Sequence, residues 1–212
     1  YKDPDNYVKY SGRLAEELKK TNNKGVIWTN QFDNTANYRG HYETTGKEIW
    51  EQTEGKIDGF ICASGTGGTI AGVSNALKEK NKNIKVYLSD PKGSCLYNYI
   101  KTKEFKSEGN SITEGIGSSR ETKNFEKALI DDAYSIDDAT ALKVLFDLIE
   151  QEGLSLGTSS GINVAGAIKL AQELGPNKTI VTILCDKSDR YQGKLFNKKF
   201  LMDKNLPYPR WL

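Results

Sequence analysis

The sequence has few of the residues that build metal sites and disulfide frameworks. Among 212 residues there is one histidine, His41, and there are three cysteines, Cys62, Cys95 and Cys185. No two cysteines lie a few residues apart, so the spacing of a structural zinc site is absent. An odd number of widely spaced cysteines, two of them inside apolar runs, favours buried free thiols in a reducing compartment. We therefore expect no metal and three free thiols.

A strong excess of one charge and a long apolar run are also missing. The 30 basic and 28 acidic side chains leave a formal charge of +2, and both signs are interspersed along the chain. This pattern argues against a nucleic-acid surface, and no apolar run approaches the roughly 18 residues of a transmembrane helix. We expect a soluble, cytoplasmic protein that binds neither nucleic acid nor membrane. Residues 1–4 contain neither an initiating methionine nor a signal segment, so we expect a piece of a longer protein.

Helical and strand periodicities alternate along the chain. Apolar residues at helical spacing predict helices over residues 6–20, 37–55, 69–80, 138–152 and 163–174. Short apolar runs predict strands over residues 25–28, 57–63, 84–90 and 179–185, while residues 91–133 are expected to form loops and short elements. Such alternation predicts an α/β fold, a mostly parallel sheet flanked by helices on both faces. Such sheets bind ligands at the carboxyl ends of their strands.

The clearest motif is SGTGGT at residues 64–69, between a predicted buried strand and a predicted helix. Three glycines allow close approach of an anion, two threonine hydroxyls can donate to it, and the helix N-terminus adds partial positive charge. The motif therefore predicts a phosphate cradle. A dinucleotide site is the sharpest alternative, because Asp90 ends the next strand where a ribose-binding carboxylate would lie. Ile70 replaces the third glycine of that fingerprint, which favours a single phosphate. A turn that only packs the helix on the strand is a further alternative.

Three further polar turns resemble ligand-binding loops. They are NQFDNTAN at residues 30–37, EGIG at 114–117 and GTSSG at 157–161. Each alone could be a helix cap or a tight turn. Four such segments in one α/β chain predict a ligand site.

In identity, order and spacing, these segments resemble the cysteine synthase family. The resemblance rests on residues 31–37, 44–50 (TTGKEIW), 64–69, 114–117 and 157–161. It implies the C-terminal two thirds of a fold-type II, tryptophan synthase β-like enzyme that uses pyridoxal 5'-phosphate to make L-cysteine from O-acetylserine and sulfide. Residues 1–212 would then be the C-terminal part of an incomplete catalytic unit. They would comprise the large cofactor-binding domain and, near the N-terminus, a remnant of the smaller domain.

The resemblance assigns roles to eight residues. It implies that the cofactor's 5'-phosphate is held by Gly65, Thr66, Gly67, Gly68 and Thr69. It also implies that Ser159 faces the pyridine nitrogen, that Gln31 helps to bind the substrate carboxylate, and that Gly115 lines the active site near the substrate amine. A neutral hydroxyl beside the ring nitrogen makes the cofactor a weaker electron sink, which suits elimination and replacement at the β-carbon.

Two features depart from the family pattern. The lysine that forms the Schiff base and the Asn-Thr loop that grips the substrate carboxylate lie upstream in this family, and no lysine of this sequence stands in a comparable context. Lys187 follows Asp186, where the family has a small Ser-Gly pair, and brings a long cation to the expected pyridine side. We therefore expect no catalytic residue in this chain and no synthase activity from it alone.

Alternatives remain within and outside this chemistry. Cystathionine β-synthase-like and serine or threonine dehydratase-like enzymes share the cradle, although residues 31–37 and 114–117 favour cysteine synthase. A non-catalytic binding or assembly module with the same fold is also consistent with the missing lysine. The resemblance further implies a homodimer and makes serine acetyltransferase a candidate partner.

Overall fold

The computed structural model describes residues 5–212, and its centre is a four-stranded parallel sheet. The strands are β1 (Gly59–Cys62), β2 (Lys85–Pro91), β3 (Asp132–Ile136) and β4 (Ile180–Val181). Their order across the sheet is β3-β2-β1-β4, and every neighbouring pair is parallel. The prediction of an α/β fold with a parallel sheet is confirmed. Residues 1–4, which prompted the expectation of a longer protein, lie outside the described part.

Helices cover both faces of the sheet. They are α1 (Tyr7–Thr21), α2 (Ala36–Glu43), α3 (Thr45–Gln52), α4 (Gly68–Lys80), α5 (Leu96–Thr102), α6 (Asp138–Glu152), α7 (Thr158–Leu174), α8 (Gln192–Leu195) and α9 (Lys198–Asp203). Phe60 and Leu77 belong to a core cluster on the α4 side, and Ile61 and Leu170 to one on the α7 side. Adjacent residues of β1 thus point to opposite faces. Because both faces are covered, β1 is apolar and buried along its whole length.

The strongest local patterns produce the expected elements. Helix α6 has the predicted bounds, and its N-cap Asp137 accepts a hydrogen bond from the Thr140 amide at 2.8 Å. The helix ends at Gly153, which has a φ of 68°, a conformation that glycine adopts without steric cost. Among residues 5–212, no helix is long and apolar enough to cross a membrane.

The strand predicted over residues 25–28 is wrong. These residues pair with no neighbouring strand of the described chain, and Ile27 is 92% exposed. Trp28 packs against α1 instead, where its indole Nε1 donates to the Ser11 hydroxyl at 3.2 Å. An apolar run becomes a strand only where another strand accepts its hydrogen bonds.

Four other boundaries differ from the sequence prediction. The single helix over 37–55 is interrupted at Thr44, which leaves helical geometry at φ −117° and ψ −82°. Helix α7 begins at Thr158 rather than near Asn163. Residues 91–133 contain the unpredicted start of β3, whereas α5 is one of the short elements expected there. The last strand pairs only over Ile180–Val181, and Cys185 beyond it is exposed, so the expectation of a buried thiol is wrong there.

Candidate functional site

The 64–69 turn joins β1 to α4 and leaves no room for side chains at its glycines. Gly67 has a φ of 88°, and a Cβ there would lie 2.5 Å from the Phe125 amide nitrogen. A Cβ on Gly65 would overlap the carbonyl oxygen of Gly115, and one on Gly68 would overlap the side chain of Asn37. The last two residues of the turn, Gly68 and Thr69, begin α4, and the N–H groups of the first helical turn have no acceptor within the helix. Backbone amides beside a positive helix end favour binding of an anion.

The 114–117 loop lies directly against this turn. The Gly117 amide donates to the Ser64 carbonyl at 2.8 Å. The loop is anchored from α6, because Asp138 accepts from the Ile112 amide at 2.8 Å, and from α8, because Lys194 donates to the Ile112 carbonyl at 2.9 Å. A cleft of about 520 Å³ is lined by both Gly65 and Gly115. The structure therefore brings the cradle and the 114–117 loop together.

The two threonine hydroxyls of the turn contact side chains of α2. Thr66 Oγ1 accepts from the Asn37 side-chain amide at 3.1 Å. Thr69 Oγ1 lies 3.2 Å from His41 Nε2, and the other ring nitrogen of His41 lies 3.0 Å from Thr45 Oγ1. Burial lowers the pKa of His41, because it disfavours the charged form of the ring. The contact between His41 and Thr69 was not predicted from the sequence, because it depends on how α2 packs against α4.

Gln31 reaches the cradle through its backbone. The Asn37 side chain donates to the Gln31 carbonyl at 2.8 Å and to Thr66 Oγ1, so a single amide joins the two segments. Gln31 itself lines a separate cavity of about 240 Å³ next to Trp28. It does not line the cleft that contains Gly65 and Gly115.

Ser159 lies in the first turn of α7 and is 5% exposed. Helices α4 and α7 lie on opposite faces of the sheet, but both begin at its carboxyl edge. The side chain of Asn163 accepts from the Ala63 amide and donates to the Ile183 carbonyl, both at 2.7 Å. It thereby fixes the start of α7 beside the residue that precedes the cradle. Ser159 does not line the 520 Å³ cleft.

The side chain of Lys187 is exposed, and its backbone forms an isolated antiparallel bridge with Leu156. A larger groove of about 820 Å³ along α2 and α4 contains none of the predicted site residues. Within residues 5–212, no three His, Cys, Asp or Glu side chains are grouped so that they could hold a metal ion.

Comparison with known proteins decides the family. Residues 1–186 match the family described as pyridoxal-phosphate dependent enzyme. This chain belongs to that family. Cysteine synthase 1 of Neurospora crassa is 45% identical over 211 residues, which are 97% of this chain and 55% of the relative. Cysteine synthase of Dictyostelium discoideum is 45% identical over 190 residues, 85% of this chain and 50% of the relative. The chain thus spans about half the length of the curated relatives it matches.

Among solved structures, this pyridoxal-phosphate enzyme chain is similar to the O-acetylserine dependent cystathionine beta-synthase of Helicobacter pylori. The TM-score is 0.75 at 30% identity, and the match covers 86% of this chain and 57% of the other. The likeness agrees with the fold-type II architecture expected from the sequence.

The residues present in this pyridoxal-phosphate enzyme chain fit the cofactor's phosphate. The three glycines let the Gly115 carbonyl, the Phe125 backbone and the Asn37 side chain pack directly against the turn, because a Cβ at each glycine would collide with one of them. The hydroxyls of Ser64 and Thr158 are buried and have no hydrogen-bond partner within the described residues. One belongs to the cradle and the other to the first turn of α7. Since buried polar groups are normally paired, two unpaired hydroxyls at the carboxyl edge fit a polar ligand there.

Proposed function

We propose that this chain forms the cofactor-phosphate site and part of the substrate site of an enzyme that makes L-cysteine from O-acetylserine and sulfide. The observation that supports the proposal is 45% identity to a protein named cysteine synthase across 97% of the chain. Identity to the cystathionine beta-synthase of Rattus norvegicus is 33% over a similar share of the chain. The same glycines that resemble the family allow the neighbouring segments to pack closely against the turn at the start of α4.

Each candidate site residue has a task that its chemistry suits. Pyridoxal phosphate, when bound, supplies an electron sink for bond breaking at the α- and β-carbons of an amino acid. The amides of residues 65–69 would bind its phosphate, and the Ser159 hydroxyl would hydrogen-bond to the ring nitrogen without adding charge. The Gln31 side-chain amide would donate to the substrate carboxylate. Gly115, with a φ of 78°, would keep the cleft open beside the substrate amine.

Cofactor binding is tested by titrating this chain with pyridoxal 5'-phosphate and following the ³¹P resonance. Gly65→Ala inserts a methyl group that overlaps the Gly115 carbonyl, so we expect the dissociation constant to rise roughly tenfold or more. Gly40→Ala is the matched control, because no atom beyond the adjacent residues and the backbone of its own helix lies within 4 Å of the added Cβ. Equal affinity of the two variants would contradict the assignment of the cradle.

Turnover is tested separately. We expect this chain alone to make no cysteine from O-acetylserine and sulfide, because none of its lysines stands in the family's Schiff-base context. A full-length protein that carries such a lysine should make cysteine. Turnover by the purified 212-residue chain would refute the first expectation. A full-length protein that binds no pyridoxal phosphate would favour the non-catalytic module.

Cystathionine synthesis is the second candidate, because the similar solved structure is that of an O-acetylserine dependent cystathionine beta-synthase. The two candidates differ in the thiol that attacks. We propose to offer the full-length enzyme O-acetylserine with either sulfide or homocysteine and to measure both products by mass spectrometry. Faster formation of cysteine supports the first proposal, whereas faster formation of cystathionine supports the second.

We also propose, from the family resemblance, a cytoplasmic homodimer that binds serine acetyltransferase. Sedimentation of the full-length protein with and without that enzyme, and fractionation of cells, test these three points. A monomer that does not sediment with the acetyltransferase would contradict the homodimer and the partner, and recovery outside the cytosolic fraction would contradict the localisation.

A further inference from the structure

Residues 120–125 follow the 114–117 loop and contact the phosphate cradle. Thr122 is 2% exposed, and its hydroxyl donates to the Thr66 carbonyl at 2.6 Å. The same oxygen accepts from the Phe125 amide at 3.0 Å. The backbone of Phe125 fills the space beside Gly67. One short segment therefore holds the backbone of the cradle at two of its residues.

Asn124 connects the same segment to the Gln31 loop and is completely buried. Its side-chain nitrogen donates to the carbonyls of Gln31 at 3.0 Å and Phe32 at 2.8 Å. Its side-chain oxygen accepts from the Tyr38 amide at 3.2 Å. The orientation of the amide follows from this network, because only nitrogen can donate to two carbonyls.

A partly exposed ion pair between Arg120 and Asp33 also joins the 120–125 segment to the Gln31 loop. The guanidinium forms two parallel bonds to the carboxylate, at 3.0 and 2.8 Å, and the Lys123 amide donates to the same carboxylate at 3.0 Å. The Arg120 guanidinium beside Asp33 lowers the pKa of that carboxyl. Because the pair is partly exposed, its energy is small, but two-point contact restricts its orientation.

We propose that Thr122 and Asn124 are positioning residues that hold the phosphate cradle and the Gln31 loop in a fixed relative position. This inference rests on the proposed function, in which the cradle binds the cofactor's phosphate and Gln31 binds the substrate's carboxylate. Neither positioning residue lines the cleft that contains Gly65 and Gly115. They would act through their hydrogen bonds to the backbone carbonyls of Thr66, Gln31 and Phe32. These carbonyls belong to two separate loops, which the 120–125 segment connects. Without the side-chain N–H groups of Asn124, the carbonyls of Gln31 and Phe32 would lose these hydrogen bonds.

The first test measures amide hydrogen exchange in this chain. Asn124→Asp keeps the size of the side chain but removes both donors, so we expect the amides of residues 31–38 to exchange roughly tenfold faster or more. The control is Asn75→Asp, since Asn75 also donates to two backbone carbonyls, those of Ala71 and Lys127. It should leave residues 31–38 unchanged. The proposal is overturned if Asn124→Asp leaves these amides at their original rate, or if α6 accelerates by the same factor.

The second test asks whether the Thr122 hydroxyl acts on the cradle. Thr122→Val has the same shape but no hydroxyl, and we expect it to bind pyridoxal 5'-phosphate roughly tenfold more weakly. Thr122→Ser keeps the hydroxyl and should restore most of the affinity. Equal affinities of the valine and serine variants would overturn the role of the hydroxyl. If the original chain binds no pyridoxal phosphate, the proposed function fails, while hydrogen exchange still decides whether Asn124 positions the loops.

Discussion

Asp90 is the penultimate residue of β2 and has no exposed surface. Its Oδ2 accepts a hydrogen bond from the Tyr97 amide at 2.8 Å, whereas Oδ1 has no partner among the described residues. Burial raises the pKa of Asp90 from 3.8 to about 7, although the hydrogen bond from the Tyr97 amide opposes the shift. The folded chain therefore holds this proton more tightly than the unfolded chain does.

The sign and size of the effect on stability follow from this difference. Below pH 3.8 both states are protonated and Asp90 has no effect, while above about pH 7 the folded state carries the full penalty of a buried charge. A shift of this size corresponds to roughly 4 kcal/mol. Asp90 should therefore make the free energy of unfolding fall as the pH rises from about 4 to 7. Asp33 acts in the opposite direction, because its pKa is lowered.

Asp90→Asn isolates this contribution, since asparagine keeps an acceptor for the Tyr97 amide but does not ionise. We expect the variant to gain stability relative to the original chain as the pH rises, by up to about 4 kcal/mol near pH 8. Urea unfolding of both proteins at several pH values between about 4 and 8 measures the difference. A difference that is independent of pH, or that grows on acidification, would refute the reasoning.

Three further predictions concern packing, thiols and an ion pair. Gly166→Ala places a Cβ against Ser89 and should lower stability by about 1–3 kcal/mol in urea unfolding, whereas Gly40→Ala, with open space around it, should not. Ellman's reagent should react rapidly with one thiol of the folded chain, the exposed Cys185, because Cys62 and Cys95 are buried and burial raises the pKa of both; fast reaction of two thiols would contradict this. Asp33→Asn should lower the free energy of unfolding by less than about 1 kcal/mol near pH 7. That loss should vanish as the pH falls through the lowered pKa of Asp33, and a loss that persists in acid would count against the ion pair.

The candidate site was only partly predictable from the sequence. The cradle could be found because strand, glycine turn and helix follow one another within residues 57–80. The contacts that join the cradle to the other loops could not. Asn124 is 93 residues from Gln31, and Asn163 is 100 residues from Ala63. An asparagine with no local partner carries no sign of such contacts.

The sequence by itself determined the buried strand Gly59–Cys62, helix α6 with its caps, and the glycine turn before α4. These features depend on periodicity, capping and backbone freedom over a few neighbouring residues. Only the tertiary structure decided that residues 25–28 find no strand partner, that α7 begins at Thr158, and that Cys185 is exposed. Those outcomes depend on which distant segments supply hydrogen bonds and cover apolar surface, and local pattern does not encode that.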